Sequence, residues 1–513
     1  MPDTSSLAPA IVSCSGGLVL NRDVFSMSPG EALELKNFEP DITGGYKKIL
    51  GTELYNSNIV PQVSASSERV VFSAIFNDVV LAGRGGSIHR AGTTGSWTSV
   101  VTGLGTPTVN YEFRRFNFDG TDKIVICSAT STPRIVDTSY SVTNVNATGS
   151  ANFQFVEIFK NHIFFSGDSS NPHSVKFMSP FGTNDFTTAN GGGEIKVDSP
   201  VVGLKVFRDN LFIFCRDEIF KIIGTSSADF QLQPVTKKIG CLDGRTIQEF
   251  GGDVIFLAPD GLRTIAGTDR IGDVELGTIS KQVQEIIDNI TIHNLNSLVI
   301  RNKSQYRLFY PVSVDQSENA AKGLMCVIKG QPEGGAGFEY AELEGLKASS
   351  TDSDFISNDE TIISGGYDGY VYKQESGNSF ARTGSSVSIN AFYRTPDMTM
   401  GDPGIRKSMQ RVIWNYENEG NVDSNFKVRY DFDSPQVPQP AAYNLTTGAG
   451  IAVYGLSAST YGTAVYGSSG ANLVRQPVEG SGFTVALRVE ETSTNQPISF
   501  KGYQLEFIPG GRR

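Results

Sequence analysis

The chain has 513 residues, more than one hydrophobic core usually organises, so the sequence predicts two or three domains. A formal net charge of −11 and a pI near 5.1 argue against a protein that grips nucleic acid by neutralising its phosphates. The 55 glycines indicate many turns, and 32 Phe, 18 Tyr and short runs of Val, Ile and Thr favour a mainly β fold.

The cysteines show no disulfide or metal-binding pattern, and the opening residues show no targeting signal. The five cysteines are far apart and form no CxxC pair, so we expect buried free thiols rather than a disulfide framework or a zinc site. They are Cys14, Cys127, Cys215, Cys241 and Cys326. The opening Met-Pro-Asp-Thr lacks a basic signal-peptide region, and no apolar run approaches the ~18 residues of a membrane span. We therefore expect synthesis as a soluble chain in the cytoplasm.

From about residue 65 to 380, short apolar runs alternate with polar turns. The runs 70–76 and 79–82 flank Asn77 and Asp78, and the runs 153–159 and 162–165 flank Lys160 and Asn161. Further turns are predicted at Asp209-Asn210, Arg216-Asp217 and 259–261. The groups recur roughly every 40–50 residues, the spacing of four-stranded propeller blades. The sequence predicts a β-propeller of six or seven blades, with a long β-sandwich array as the alternative.

One amphipathic helix is predicted over residues 280–290. Val283, Ile286, Ile287 and Ile290 follow the i, i+3, i+4, i+7 pattern of a single apolar face. Thr278 or Ser280 is the candidate N-cap. A membrane anchor and a partner-binding helix are alternatives, but the helix is short and lacks a basic face, so packing on a sheet is favoured.

Residues 385–513 predict a second β domain. Longer alternating strands are expected at 387–394, 410–416, 427–432, 483–489 and 503–508. Between them, residues 448–470 are rich in Gly, Ala, Ser and Tyr, which indicates a loop whose tyrosines are able to reach a neighbour.

No catalytic or metal-binding pattern is visible. His89, His162, His173 and His293 are scattered and have no nearby nucleophile or ligand pattern. The glycines of residues 83–86 lack the GK[ST] ending of a phosphate loop. Acidic pairs such as Asp431 and Asp433 suit glycoside hydrolysis in principle, but 54 acidic residues supply such pairs by chance. We predict no catalytic, cofactor-binding or metal-binding residues, no cofactor, and no enzymatic activity.

Both ends of the chain contain short, distinctive sequence phrases. At the N-terminal end they are residues 15–18 (SGGL), 27–32 (MSPGEA) and 36–49 (KNFEPDITGGYKKI). At the C-terminal end they are residues 393–396 (YRTP), 401–403 (GDP), 405–407 (IRK), 480–483 (GSGF) and 509–513 (PGGRR). The chain resembles the tail nozzle, or tail tubular protein B-like, family of short-tailed bacteriophages. Lys47 and Lys48 depart from the pattern, since the family often has arginines there.

The resemblance implies a virion structural protein with a propeller in each subunit. It implies a homohexameric ring, or nozzle, that continues the DNA channel below the portal and adaptor proteins. The partners would be further copies of the chain, the portal and adaptor, and tail fibres. Phage DNA would pass through the lumen without sequence-specific binding, and the protein would reside in the virion tail.

The clustering of these phrases at both ends predicts the domain arrangement. Residues 1–60 should pack with residues 385–513 as the ring-forming body, and residues 65–380 should form the propeller. Two other functions stay open, because a fold alone does not define a function. They are a receptor-binding or carbohydrate-binding tail module and, third, a polysaccharide-degrading enzyme.

Overall fold

The computed structural model describes residues 8–63, 69–92, 95–107, 109–265, 278–311, 321–330, 336–420, 423–446 and 472–510. Strands hold 51% of the residues and helices 5%, which confirms the predicted mainly β fold. The strands of these ranges form eight sheets. The predicted loop at 448–470 lies outside the described residues. No helix in the described part of the chain is long and apolar enough to cross a bilayer.

The N-terminal segment contributes five short strands and a 3-10 turn at Val24–Ser26. The strands are β1 (Ala8–Ser13), β2 (Glu34–Lys36), β3 (Phe38–Pro40), β4 (Tyr46–Lys48) and β5 (Thr52–Leu54). They join three different sheets rather than one.

Five antiparallel meanders follow along the chain, and each is a separate sheet. The first two are β6 (Phe72–Phe76), β7 (Val79–Arg84), β8 (Ser87–Ala91) and β9 (Trp97–Val101), then β10 (Glu112–Phe116), β11 (Lys123–Cys127), β12 (Arg134–Asp137) and β13 (Val142–Asn144). The next two are β14 (Phe155–Phe159), β15 (His162–Ser166), β16 (Ser174–Phe177) and β17 (Gly193–Lys196), then β18 (Val201–Phe207), β19 (Asn210–Cys215), β20 (Ile219–Ile223) and β21 (Gln231–Thr236). The fifth has three strands, β22 (Gln248–Phe250), β23 (Asp253–Ala258) and β24 (Gly261–Thr264), and short 3-10 turns lie at Thr188–Asn190 and Gly244–Thr246.

Two further strand groups complete the circle. The first group is β25 (Asn296–Ile300), β26 (Gln305–Pro311), β27 (Ala321–Gly330) and β28 (Ala336–Glu344). The second is β29 (Ser350–Ile356), β30 (Asp359–Gly365), β31 (Val371–Gln374), β32 (Ser379–Arg382) and β33 (Ser385–Ser388), in the order β29-β30-β31-β5-β32-β33. Because β22 contacts β25, β25 contacts β29 and β29 contacts β6, the circle closes on itself.

The predicted propeller is therefore confirmed. Its six separate blade sheets are the five meanders and the sheet that contains β29–β33 and β5. The strands β25–β28 occupy the place between the fifth meander and the closing sheet, and they continue into a larger nine-stranded sheet. Hydrophobic side chains of neighbouring meanders pack together, as Phe214 of one does against Phe256 of the next, with ring centroids 5.2 Å apart.

Positive φ angles mark the tight hairpins of the blades. Asn77 and Asp78 have φ of 51° and 58°, at the turn that the sequence predicts. The predicted turn at Asp209-Asn210 is wrong by one residue, because the left-handed pair is Arg208 (45°) and Asp209 (61°). Asn210 already begins β19.

The predicted helix is shorter than residues 280–290. A 3-10 turn at Lys281–Val283 leads into α1 (Gln284–Asp288). Ser280 does not cap it, because its hydroxyl accepts a hydrogen bond from the Leu262 N–H at 3.0 Å. Val283, Ile287 and Ile290 are buried in the main core, as the apolar stripe predicts.

The C-terminal strands build two sheets that face each other. They are β34 (Ala391–Arg394), β35 (Lys407–Asn418), β36 (Asp423–Tyr430), β37 (Tyr443–Thr446), β38 (Asn472–Pro477), β39 (Ser481–Gly482), β40 (Val485–Glu491) and β41 (Ile498–Pro509), with a 3-10 turn at Asp431–Asp433. The seven-stranded sheet runs β3-β4-β41-β35-β38, with β1 on β41 and β39 on β35. The nine-stranded sheet runs β25-β26-β27-β28-β2-β34-β40-β36-β37. Trp414 of one sheet packs on Phe426 of the other at 5.6 Å.

Continuous sheets cross the predicted domain boundaries. The predicted strand 387–394 divides in two, since β33 belongs to a propeller sheet and β34 to the nine-stranded sheet. β5, from the segment 1–60, also lies in a propeller sheet. The division into 1–60, 65–380 and 385–513 therefore stays a prediction, and no clean cut between sheets coincides with it.

Candidate functional site

The N-terminal segment ties the propeller to the C-terminal sheets. β1, β3 and β4 lie in the seven-stranded sheet, β2 in the nine-stranded sheet and β5 in a propeller sheet. Ala8 of β1 pairs with Phe507 of β41, and Tyr46 of β4 pairs with Phe500 of the same strand. Strands from opposite ends of the chain are therefore neighbours, and we call this region the junction.

Asn37 lies in the junction where the chain leaves β2 and enters β3. Its φ of 52° is in the left-handed region, which asparagine tolerates better than most residues. Its buried amide donates hydrogen bonds to the carbonyl oxygens of Glu344 (3.0 Å) and Asn390 (2.8 Å). The Asn37 Oδ1 accepts from the Glu344 N–H at 2.9 Å. One side chain thus connects the end of β28 to the segment that leads into β34.

Tyr46 and two glycines close the junction. The buried Tyr46 Oη donates to the Gly30 carbonyl at 2.7 Å and accepts from the Gly17 N–H at 3.0 Å. The Tyr46 ring packs edge-on against Tyr393, with centroids 5.0 Å apart. Gly17 has φ of 68°, and a Cβ there would lie 2.7 Å from the Tyr340 backbone nitrogen. The glycine is therefore required for the close approach of these backbones.

We expect Tyr46→Phe to lower the free energy of unfolding by about 1–3 kcal/mol, because the buried Gly17 N–H would lose its acceptor. Denaturant titration followed by tryptophan fluorescence measures the change. Tyr140→Phe is the matched control, since the Tyr140 hydroxyl is buried without a partner among the described residues. Its expected effect is less than about 0.5 kcal/mol. Equal losses in both variants would contradict the role given to the Tyr46 hydroxyl.

Four charged side chains, Glu39, Lys303, Arg307 and Glu375, form a buried ion cluster beside the junction. The Arg307 side chain is 1% exposed, and its Nη2 lies 2.5 Å from Glu375 and 3.6 Å from Glu39. The Lys303 Nζ lies 2.6 Å from Glu39 and also contacts Glu375. Burial alone would raise the pKa of Glu375, but Arg307 and Lys303 outweigh burial and lower this pKa to about 2. Two positive and two negative charges therefore balance inside the protein.

The adjacent lysines of β4 lie in different surroundings. The Lys48 side chain is buried, and its Nζ lies 3.3 Å from Glu491 and 2.8 Å from the Ser493 carbonyl. Burial lowers the pKa of Lys48, and the Glu491 carboxylate opposes this shift in part. Lys47 is partly exposed and pairs with Glu419 at 2.7 Å. Both lysines belong to the junction strand β4, and of the two only Lys48 has a buried side chain.

A second candidate site is a cavity of about 660 Å³ at the centre of the propeller, lined by the first strands of several blades. The charged side chains of its wall are Glu112, Arg114, Arg115, Lys205, Arg245, Glu249, Arg301 and Asp352. Most of these side chains form ion pairs. Arg114, for example, pairs with Glu112 at 2.5 Å and with Glu157 at 2.9 Å. Burial and the nearby Arg114 lower the pKa of Lys205. The wall is polar, with its charges largely paired.

The histidines and cysteines singled out in the sequence do not come together. His89 and His162 are buried, whereas His173 and His293 are exposed. Across the part of the chain that the structure describes, no three His, Cys, Asp or Glu side chains are grouped as metal ligands. All five cysteines are buried free thiols, as predicted, and burial raises the pKa of Cys241 to about 12.

Sequence reasoning did not identify the buried ion cluster. Glu39 belongs to a phrase that was singled out, but its partners Lys303, Arg307 and Glu375 were not. The available signal is Arg307 itself, an arginine within the otherwise largely apolar strand Gln305–Pro311. A charged group in such a strand has to find a partner, because burying an unpaired charge is very costly.

Comparison with known proteins identifies no family for this chain. No protein-family model matches it, and no curated protein matches it significantly. One solved structure among the matches is the extracellular domain of a hybrid two component system from B. thetaiotaomicron, at 7% identity and a TM-score of 0.39, covering 72% of this chain and 44% of that chain. Chaetomium thermophilum Raptor follows at 10% identity and a TM-score of 0.38, covering 64% and 29%. An ancestral GH74 enzyme has 10% identity and a TM-score of 0.38, covering 73% and 53%.

The present chain thus spans about half or less of the length of these structures. At such TM-scores the likeness carries no argument about function. The propeller assignment rests on the arrangement of the sheets described above.

Proposed function

We propose that this chain is a structural, non-enzymatic subunit of a short-tailed phage tail, and that six copies form the nozzle ring below the portal and adaptor. The observation that carries the proposal is where the family-like phrases lie. Tyr46 of the N-terminal phrases packs on Tyr393 of the C-terminal phrases. Gly45 lies against β41, and the GSGF phrase supplies β39 on β35.

The location of the phrases supports an architectural role. Their residues provide turns, close backbone approaches and buried pairs at the junction. Such residues set the angle between the propeller and the seven-stranded sheet, which a ring subunit must hold constant from copy to copy. The net charge of −11 suits a conduit that lets DNA pass, because each lysine or arginine facing the DNA would add salt-dependent retention.

Electron microscopy of the purified chain tests the proposal. We expect class averages with six-fold symmetry and a central channel, and a native mass six times that of the 55.4 kDa chain. Addition of the portal and adaptor proteins should give a coaxial complex. A trimer, or a chain that stays monomeric with and without these partners, would overturn the nozzle proposal.

The polar cavity of the propeller favours a second candidate function, a receptor-binding or carbohydrate-binding tail module. Its wall combines paired charges with the aromatic rings of Tyr111, Phe113 and Phe250, and sugars are bound by such mixed surfaces. A glycan array separates the two functions. If a trimeric chain binds a glycan specifically and Phe113→Ala abolishes that binding, the result would favour the binding module. Release of reducing ends from a bound polysaccharide would favour the third candidate, a degrading enzyme.

A further inference from the structure

Among the described residues, β1 and β38 are edge strands on opposite sides of the seven-stranded sheet. At one side β1 pairs with β41, and at the other β38 pairs with β35. Each of these two strands has six residues. Reading across the sheet, the order β1-β41-β35-β38 is antiparallel at every step. An edge strand of this kind presents unpaired backbone groups that another chain is able to bind.

The hydrogen bonds of β1 show which of its backbone groups face outward. The Cys14 N–H donates to the Lys501 carbonyl at 3.0 Å, so alternate residues of β1 turn their backbone groups toward β41. The backbone groups of Ile11 therefore point away from the sheet. Pro9 has the same outward direction, where its missing N–H costs no hydrogen bond inside the sheet. The open stretch ends at Ser13, whose carbonyl oxygen lies against Gly30.

The same reasoning applies to β38. The Val478 N–H donates to the Gln410 carbonyl at 3.1 Å, so the backbone groups of Leu473 and Arg475 face away from β35. Pro477 again occupies an outward position. Both edges thus offer outward N–H and C=O groups next to a single proline.

Exposed apolar side chains lie on both edges. Ile11 is 79% exposed and Leu473 is 65% exposed, which is unusual for large apolar residues on regular strands. Ile11 aligns through Gln504 and Ile413 with Arg475, so Ile11, Arg475 and Leu473 project from one face of the sheet. Bringing the two edges together would bury both apolar side chains.

The two edge strands, β1 and β38, also match in their level along the strand axis and in the direction in which they run. Val12 pairs with Tyr503, Tyr503 with Trp414 and Trp414 with Val474, so β1 and β38 lie at the same level of the sheet. A second copy in the same orientation would therefore set its β1 antiparallel to β38 of the first. The alternation of strand directions would continue across the contact without interruption.

We propose that β38 of one copy binds β1 of the next copy as an antiparallel neighbour, and that this contact joins the subunits of the ring. The contact is heterologous, since two different edges meet, and repetition of such a contact closes a ring when the rotation between copies allows it. Backbone hydrogen bonds supply the contact, as in other cases of strand addition. The inference rests on the proposed ring function and names the surface that forms it.

Two proline variants test the contact. Ile11→Pro and Arg475→Pro each remove one outward N–H and no hydrogen bond within the sheet, so both chains should fold. Each should raise the protein concentration needed for half assembly at least about tenfold, measured by mass photometry. An equimolar mixture should give dimers with one copy of each variant, because only β38 of the Ile11→Pro chain and β1 of the Arg475→Pro chain remain intact. Ile11→Val, which keeps the N–H, should assemble like the unmodified chain.

The outcomes separate this inference from the ring proposal. Rings of the unmodified chain together with unaffected proline variants would overturn the edge contact alone. An unmodified chain that stays monomeric with and without the portal and adaptor proteins would overturn both. If circular dichroism shows that a proline variant is unfolded, the double variant Ile11→Cys/Leu473→Cys replaces it, since the native thiols are buried and inert. A short thiol crosslinker should then give a ladder of oligomers, and a monomer band alone would contradict the contact.

Discussion

Arg307→Met is expected to lower the free energy of unfolding by about 3–5 kcal/mol, because it leaves the buried carboxylates of Glu39 and Glu375 with Lys303 alone. Methionine keeps most of the side-chain volume, so the loss reports charge rather than a cavity. Denaturant titration of the purified chain measures it. Arg301→Met is the matched control, since the Arg301 side chain is 55% exposed and pairs with Glu360 at 3.6 Å. Its expected cost is below about 1 kcal/mol.

A double variant tests whether Arg307 and Glu375 stabilise the chain as an interacting pair or independently of each other. Arg307→Met combined with Glu375→Gln removes one charge of each sign, so the double variant should lose less stability than the two single losses added together. Additive losses would show that the two side chains act independently, against the cluster described here.

The ion cluster also predicts acid sensitivity. The pKa of Glu375 is lowered from an ordinary value of 4.5 to about 2 in the folded chain. Stabilisation from this group is therefore fully present above about pH 4.5 and is lost as the pH falls from 4.5 toward 2. Arg307→Met should flatten this part of the stability profile. An unchanged slope between about pH 5 and pH 3 would contradict the assignment.

Gly45→Ala is expected to destabilise the chain by about 2–5 kcal/mol, and Gly44→Ala by only about 1–2 kcal/mol. Both glycines have positive φ, 87° and 96°, so alanine is strained at either position. Only at Gly45 would the added Cβ also collide with the Phe500 carbonyl oxygen, at 2.4 Å, whereas nothing lies within 4 Å at Gly44. The difference in denaturation midpoint between the two variants isolates the close approach of β4 to β41. Equal effects would mean that backbone strain alone matters.

Local signals in the sequence predicted local structure well. Turn residues that tolerate positive φ placed the hairpin at Asn77 and Asp78, and the apolar stripe placed Val283 and Ile287 in the core. The errors arose from competition with tertiary contacts. Ser280 was expected as a possible helix cap, but its hydroxyl bonds the Leu262 N–H, and the helix is short.

Long-range pairing was the part that sequence alone did not provide. Glu39 pairs with Lys303, which lies 264 residues further along the chain, and no periodicity in the sequence indicates such a partner. The switch of the N-terminal segment among three sheets was equally invisible, because strands of three residues such as β2 and β3 carry no alternation to read. The family-like phrases drew attention to the two ends of the chain, and the structure adds the ring contact between Tyr46 and Tyr393.

The pairing of β1 with β41 sets an order of events during synthesis. Ala8 leaves the ribosome almost five hundred residues before its partner Phe507. At about 5–20 residues per second, β1 waits roughly 25–100 s before its place in the sheet exists. The blades are built from local hairpins and are able to form during that interval, whereas the β1 edge is shaped only after β41 has emerged. A nascent or truncated chain therefore has no finished β1 edge, and the edge contact proposed above would become available only after translation has passed β41.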